Sequence, residues 1–213
     1  MVFECSCDVR PPKTVSRKIV SLRRDARRKR SISPVTSRPK SDSKRSTDDH
    51  DDRLLPLLRW AGGKQHATAS LIALVPPRAR RPLYWEPFVG GGSVFFALRP
   101  ARACLADSNP DLINCYSHVR NAPEMVAALL ASHASNDCAD YYYRIRAQYN
   151  EIGSRASRAQ AARFLYLNRT CFNGIFRVNH QGQYNVPYGH KSSPRFPDRV
   201  HFQRASEALQ SVN

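Results

Sequence analysis

Three consecutive glycines between two apolar runs constrain the fold of this chain more than any other feature. Residues 83–89 have the length and aromatic content of a buried strand, and Gly90-Gly91-Gly92 follow directly. A helix-like run then begins at Ser93. Glycines let a ligand lie close to the backbone, and the first N–H groups of the next helix are free to bind it. The sequence therefore predicts a strand, a ligand-binding turn and a helix.

A second short apolar run, residues 102–106, ends at Asp107. A carboxylate at the tip of the neighbouring strand is where a Rossmann-like site binds the two hydroxyls of a ribose. The alternative is that Asp107 only caps the next helix, a role that Asn109 can fill instead. We favour the ribose role. The glycine spacing matches neither of the common phosphate-binding glycine motifs. The carboxylate of Glu86 also argues against a nucleotide pyrophosphate as the ligand.

Apolar residues at helical spacing follow this second run. Asn109 and Pro110 are typical of a helix start. The first predicted helix carries Leu112, Cys115, Tyr116 and Val119 on one face, and the second carries Val126, Leu129, Leu130 and His133. The third carries Tyr142, Ile145 and Tyr149, and the fourth carries Ala161, Phe164, Leu165 and Asn168. We expect all four faces to point into the core. Beyond them, Gln181-Gly182-Gln183 predict a hairpin.

The segment 59–64, Arg-Trp-Ala-Gly-Gly-Lys, combines an aromatic ring, a glycine turn and a cation within six residues. Lys64 is suited to a ligand carboxylate. Trp60 is suited to packing on a ligand face or beside a sulfonium.

Charge gives a first indication of the partner. The chain has 34 Lys and Arg against 17 Asp and Glu, a formal net charge of +17, and both residues 1–53 and residues 54–213 are basic. Such a surface favours a polyanion, most commonly nucleic acid. No apolar stretch is long enough for a membrane span or an export signal, so we expect a cytoplasmic protein. The six cysteines are then expected to be reduced thiols, and Cys5 and Cys7 lack the partners of a zinc site.

Residues 1–53 differ in composition from the rest of the chain. Residues 10–47 are rich in Arg, Lys, Ser and Pro without periodicity, which predicts a disordered basic tail. Three roles stay open for it: a solvated tail without a specific function, an arm that holds DNA through residues 23–30, and a targeting signal. The acidic run 48–52 is interpreted as a solvated boundary, and the domain is expected to occupy residues 54–213.

Four segments carry a family resemblance. They are RWAGGK at 59–64, EPFVGGGSVFF at 86–96, LADSN at 105–109 and FLYLNRTCFNGIFRVNHQGQYNVPYG at 164–189. In this order and spacing they resemble the Dam-like adenine-specific DNA methyltransferases, whose methyl donor is S-adenosylmethionine. The resemblance implies an α/β fold: an incomplete Rossmann-like methyltransferase sheet, with a cofactor-binding part at 54–135 and a helical and β-hairpin DNA-recognition part at 136–200. It implies that S-adenosylmethionine contacts Trp60, Lys64, Glu86, Phe88, Gly90, Gly92 and Asp107.

The same resemblance implies that residues 168–189 recognise double-stranded DNA. Asn173 suits an adenine edge or a phosphate, Arg177 suits a guanine edge, and Phe172 suits a wedge in the stack that a flipped base leaves. The alternative is that Phe172 and Phe176 are hairpin core. Further candidates for contacts to the DNA backbone are Arg169, Tyr184, His190, Lys191 and Arg195.

The 213 residues contain no Asp-Pro-Pro-Tyr segment, at which members of that family transfer the methyl group. Methyl transfer to adenine requires acceptors for the two N–H bonds of its amino group and an aromatic ring that stacks on the flipped base. We therefore expect the N-terminal portion of a DNA adenine-N6 methyltransferase used in DNA modification or restriction-modification, with no catalytic residue assigned and the oligomeric state open. Two alternatives are a non-catalytic DNA-binding fragment and a dinucleotide-dependent oxidoreductase, and the latter leaves residues 59–64 unexplained.

Overall fold

The computed structural model describes residues 54–75, 83–153 and 155–212, which belong to one compact unit. The described residues form two strands, β1 (Tyr84–Glu86) and β2 (Ala103–Leu105), and seven α-helices: α1 (Thr68–Ala73), α2 (Ser93–Leu98), α3 (Pro110–Asn121), α4 (Pro123–Ser135), α5 (Ala139–Ile152), α6 (Arg158–Thr170) and α7 (Arg199–Leu209). Short 3₁₀ turns occupy Gln65–Ala67 and Phe172–Gly174. The mixed, helix-rich architecture with a small parallel sheet agrees with an incomplete methyltransferase fold.

The predicted order of strand, glycine turn, helix and strand is confirmed. β1 and β2 pair in parallel, with Trp85 opposite Cys104, and α2 connects them. β1 is shorter than the predicted 83–89, because the chain turns at Pro87, which has no N–H to donate to a ladder. On the other side of β2, the N–H of Ala103 donates to the carbonyl of Ser211 at 2.8 Å, so the chain returns to the sheet.

The start of α3 follows the predicted pattern. The Oδ1 atom of Asn109 accepts the N–H groups of Asp111 at 3.0 Å and Leu112 at 3.1 Å, while Pro110 occupies the first helical position. Asn109 therefore caps the helix, and Asp107 does not. All four residues of the predicted α3 face are buried.

Helix α6 lies at the centre of the helical layer and packs against α3, α4 and α5. The faces predicted for α5 and α6 are buried as expected. The face predicted for α4 is partly wrong. Val126 and Leu130 are buried, but Leu129 is exposed and His133 is only half-buried, because a narrow side of α4 contacts its neighbours. The His133 ring instead shares a 2.8 Å hydrogen bond with the Tyr141 hydroxyl.

The chain reverses direction where the hairpin was predicted, but the described residues there form isolated antiparallel bridges and no regular strands. The bridges join Val178 to Tyr184 and Cys171 to Tyr188. The side chain of Asn179 closes the turn, since its Oδ1 accepts the N–H groups of Gln181 and Gln183 at 3.0 and 2.9 Å. Side-chain bonds to the backbone compete with a strand ladder.

The predictions for residues 1–53, including those for the tail and for Cys5 and Cys7, lie outside the described residues. Within the described ranges, no helix has the length and apolar character needed to cross a membrane.

Candidate functional site

A cavity of about 360 Å³ opens where β1 and β2 end. Its size falls in the range of roughly 300–1,000 Å³ that is usual for small-molecule sites. The lining consists of residues 60–64, Glu86, residues 88–94 and Asp107. The structure thus brings together all seven residues predicted to contact a cofactor. They come from three segments that are distant in sequence.

The carboxylate of Asp107 is held in a fixed orientation on the cavity wall. Its Oδ2 accepts the N–H of Gly90 at 2.9 Å, and its Oδ1 accepts the N–H of Asn109 at 3.0 Å. An ionised carboxylate has about four lone-pair sites, so each oxygen can accept one more hydrogen bond. The group is therefore oriented and still able to bind neighbouring hydroxyls.

The glycine turn requires glycine at two positions. Gly90 and Gly92 have φ angles of 48° and 67°, in the left-handed region. A Cβ atom on Gly90 would lie 2.8 Å from Cδ1 of Trp60, and one on Gly92 would lie 2.9 Å from Cε2 of Phe96. Both side chains would have to move for any other residue. The turn is thus a close-packed cradle whose backbone lines the cavity.

Glu86 contributes a second carboxylate to the lining. The hydroxyl of Tyr84 donates to its Oε2 at 2.9 Å. Burial raises the pKa of Glu86, and the hydrogen bond from Tyr84 partly opposes this shift. A cationic group of a ligand would favour the ionised form and offset the cost of desolvation.

Replacing Glu86 with glutamine should increase the free energy of unfolding at pH 7. Because burial raises the pKa of Glu86 in the folded protein, the ionised side chain lowers the free energy of unfolding. This loss is complete at pH values above the pKa in the folded state and absent at pH values below the pKa in the unfolded state. The difference between the variant and the wild type should therefore appear as the pH rises and vanish in acid. Urea unfolding from pH 4 to pH 8 measures it, and a difference that does not change with pH would contradict the account.

Trp60 connects the cavity to the segment that follows α6. Its ring stacks on Phe176, with centroids 5.6 Å apart and an interplanar angle of 17°, and lies 6.2 Å from Phe164. Lys64 and Phe88 lie at the rim. The Nζ of Lys64 donates to the carbonyl of Gly62 at 2.9 Å, and Phe88 is 82% exposed.

A second cavity, of about 210 Å³, shares a wall with the first. The shared lining residues are Trp60, Ala61, Gly63, Gly91 and Ser93, and the new ones include Arg59, Asn173, Gly174 and Ile175. This second cavity therefore adjoins both the cavity at the ends of β1 and β2 and the segment 172–176.

A third, basic cavity of about 340 Å³ is lined by Arg59, Arg169, Lys191, Ser193 and Arg195. Four cationic residues meet here without an acidic residue in the lining. Burial, and then the neighbouring Arg59, lowers the pKa of Arg169 to about 10. Burial likewise lowers the pKa of Lys191, with Arg59 as the second cause. The local potential is strongly positive, which suits an anion.

Two of the predicted DNA contacts have internal positions instead. The guanidinium of Arg169 donates to the carbonyls of Leu57 and Pro56. Tyr184 is only 3% exposed, and its hydroxyl donates to the carbonyl of Ile175 at 3.4 Å. Both side chains stabilise the fold, and we do not retain them as DNA contacts.

The other candidates lie at or near the surface. Phe172 is 52% exposed, whereas Phe176 packs on Trp60, so the hairpin-core alternative holds for Phe176 alone. Asn173 and His190 are exposed. Arg177 is exposed, and its Nε donates to Oδ1 of Asn185 at 2.8 Å, which orients the guanidinium. The Nζ of Lys191 donates to the carbonyl of Arg169 at 2.5 Å.

Sequence reasoning did not find the role of Arg59 or of the amide of Asn168. Asn168 is buried; its Oδ1 accepts the N–H of Arg59 at 2.8 Å, and its Nδ2 donates to the carbonyl of Arg59 at 2.7 Å. The same Nδ2 lies 3.4 Å from the carbonyl of Gly174. Apolar periodicity showed that Asn168 faces the core but carried no signal for this contact across 109 residues.

The family model for D12 class N6 adenine-specific DNA methyltransferases matches residues 60–213. The chain belongs to this family. The predicted family is thereby confirmed, and membership argues against the oxidoreductase alternative. Among the described residues, no cluster of three or more His, Cys, Asp or Glu side chains could hold a metal ion.

Curated relatives give the same assignment. The type II methyltransferase M1.LlaDCHI of Lactococcus lactis subsp. cremoris is 36% identical over 158 residues, covering 73% of this chain and 55% of the relative. The DNA adenine methylase of Vibrio cholerae is 40% identical over 144 residues, covering 67% of this chain and 50% of the relative. That of Escherichia coli K12 is 37% identical over 153 residues, covering 71% and 53%. The chain spans about half the length of the curated relatives it matches.

Proposed function

We propose that this chain provides the S-adenosylmethionine site and much of the DNA-binding surface of an adenine-N6 DNA methyltransferase. The observation that carries the proposal is the cavity at the ends of β1 and β2, in which the carboxylate of Asp107 is fixed by the N–H of Gly90. Methyltransferases in general take their methyl group from S-adenosylmethionine, which supplies it already activated on a sulfonium.

The residues of the cavity fit this ligand. Asp107 retains acceptors for the two ribose hydroxyls, and Lys64 at the rim suits the ligand carboxylate. Glu86 provides a negative charge for the cationic amino-acid part. The rings of Trp60 and Phe88 can pack beside the sulfonium. The glycine cradle lets the ligand lie against the backbone.

The DNA part of the proposal rests on the surface beyond α6. Phe172, Asn173 and Arg177 are exposed there, and the basic cavity with Arg59 and Arg195 lies beside the same segment. We propose that Phe172 fills the stack from which an adenine is flipped, and that Arg59, Lys191 and Arg195 bind phosphates. The second cavity touches Asn173 and shares a wall with the cofactor cavity, so it is where we place the flipped base.

Such an enzyme acts on chromosomal DNA. We therefore propose a cytoplasmic, nucleoid-associated protein that serves in DNA modification or in a restriction-modification system. The positive charge of residues 54–213 supports this assignment without any contribution from residues 1–53.

Variants of Arg177 and Arg195 can distinguish recognition of a base from binding of a phosphate. Replacing Arg177 with glutamine should reduce discrimination between DNA sequences by about 1–3 kcal/mol, because a bidentate contact to guanine is lost. Replacing Arg195 with glutamine should weaken binding to all sequences alike and make the affinity less dependent on salt. Competition binding at several salt concentrations measures both effects. A uniform loss in the Arg177 variant would reassign that residue to the DNA backbone.

The proposed activity can be tested by joining the chain to the part of a curated relative that lies outside the aligned region. We expect no methyl transfer to DNA by residues 1–213 alone, because they contain no Asp-Pro-Pro-Tyr segment. A chimera that joins the chain at Asn213 to whatever part of the Lactococcus relative follows its aligned region should transfer labelled methyl groups to N6 of adenine in unmethylated DNA. The same chimera with Asp107→Ala should transfer them more slowly when S-adenosylmethionine is limiting, because its affinity for the cofactor is about 5- to 150-fold lower. Equal activity of the two chimeras under that condition would contradict the proposed cofactor site.

One observation favours a second function, a DNA-binding protein without catalysis. The basic surface and the exposed Phe172 and Arg177 are present, while the 213 residues contain no Asp-Pro-Pro-Tyr segment. This alternative predicts DNA binding that is unaffected by S-adenosylmethionine. A measurable effect of the cofactor on the DNA dissociation constant favours the methyltransferase.

A further inference from the structure

Tyr116 has a buried polar group that the proposed cofactor contacts do not explain. It lies on α3, is 2% exposed, and was expected from its spacing only to fill the core. Its hydroxyl donates to the carbonyl of Gly90 at 2.8 Å. Burial raises the pKa of Tyr116, so the hydroxyl remains protonated and remains a donor.

Gly90 is thus held on both sides. Its N–H donates to Asp107 at 2.9 Å, and its carbonyl accepts from Tyr116. Tyr116 lies within α3 and Asp107 lies in the segment that leads into it, so α3 and this segment fix the peptide groups on the two sides of Gly90. The ring of Tyr116 also packs edge-on against Phe96, with centroids 5.8 Å apart, and Phe96 lies beside Gly92.

We infer that Tyr116 is a positioning residue for the cofactor site: its hydroxyl holds the peptide group that joins Gly90 to Gly91, which limits rotation of Gly90 and so keeps the N–H of Gly90 on the carboxylate of Asp107. The residue itself does not line the cavity. Without this bond the Gly90 carbonyl is buried and unpaired, and a glycine at positive φ can rotate easily because it has no Cβ. Asp107 would then lose a donor that orients it toward the ligand. The inference rests on the proposed S-adenosylmethionine site.

Tyr142 provides a matched control. It is also a fully buried tyrosine, and its hydroxyl also donates to a backbone carbonyl, that of Val186, at 2.9 Å. Val186 lies outside the cofactor cavity. Tyr116→Phe and Tyr142→Phe remove the same atom, although the Val186 carbonyl keeps a second donor, Nη1 of Arg146 at 3.0 Å. A purely structural role predicts that neither variant changes the dissociation constant for S-adenosylmethionine.

The test compares the full chain with these two variants. Both should lower the urea midpoint, Tyr142→Phe by less, because Arg146 still donates to the Val186 carbonyl. Tyr116→Phe should raise the dissociation constant for S-adenosylmethionine about tenfold, which is the scale of one buried hydrogen bond. Tyr142→Phe should change it less than about twofold. In the ligand-free protein, amide exchange at Gly90 should accelerate in Tyr116→Phe alone.

The outcomes are distinguishable. If the wild type binds S-adenosylmethionine and Tyr116→Phe binds it equally well, the inference is overturned while the proposed site stands. Unchanged amide exchange at Gly90 in Tyr116→Phe would also overturn it, whether or not any ligand binds. If the wild type does not bind S-adenosylmethionine, the proposed site is overturned, and the cofactor role of Tyr116 is overturned with it.

Discussion

Replacing Asp107 with alanine should weaken binding of S-adenosylmethionine by about 1–3 kcal/mol, or roughly 5- to 150-fold in the dissociation constant. The carboxylate is expected to accept the ribose hydroxyls. It also accepts the N–H of Gly90 at 2.9 Å, so its removal loosens the glycine turn as well. Calorimetric titration of the full chain measures the effect.

The Asp107 variant should keep its helical content, because Asn109 and not Asp107 caps α3. Asp140→Ala is a suitable control, since Asp140 is an exposed carboxylate in the first turn of α5 and does not line the cavity. The control should bind as the wild type does. An Asp107 variant with wild-type affinity would refute the ribose assignment.

Replacing Asn168 with alanine should have the largest effect on stability, lowering the free energy of unfolding by about 2–4 kcal/mol, because it removes two part-buried hydrogen bonds and leaves a gap at a buried position. The amide of Asn168 pairs with both the N–H and the carbonyl of Arg59, at 2.8 and 2.7 Å. It thereby fixes the segment that leads into Trp60 and lines the two adjoining cavities.

A matched asparagine, Asn136, directly follows α4 as its C-cap residue. The side chain of Asn136 is exposed and donates to the carbonyl of Ser132 at 2.7 Å, a local contact at the end of the helix. Asn136→Ala should change stability by no more than about 0.5 kcal/mol. Urea unfolding followed by circular dichroism compares the two variants. If both variants lose the same small free energy of unfolding, the hydrogen bonds between Asn168 and the backbone of Arg59 contribute little to stability.

The local chemistry of the sequence predicted the parts of the site that are set by short-range rules. The apolar run, the glycines and Asp107 gave the order of β1, turn, α2 and β2, because strand and turn residues are chosen by local backbone geometry. The cap at Asn109 followed from its place before Pro110.

Contacts between distant segments could not be predicted in the same way. Tyr184 and Arg169 have the chemistry of DNA contacts, but packing buries the ring of Tyr184, and the carbonyls of the chain near Leu57 accept from Arg169. The periodicity of α3 predicted a buried Tyr116 without indicating that its hydroxyl meets Gly90. Patterns within one segment report which face is buried, and they do not report which polar group lies opposite.

The central claim is that the cavity at the ends of β1 and β2 holds S-adenosylmethionine. Titration of the ¹⁵N-labelled chain with this ligand tests it most directly. We predict saturable, one-site changes in the amide signals of Gly90, Gly91, Gly92 and Asp107 and in the indole signal of Trp60, with no such changes on adding NAD. An unchanged spectrum, or changes confined to residues 172–191, would contradict the account.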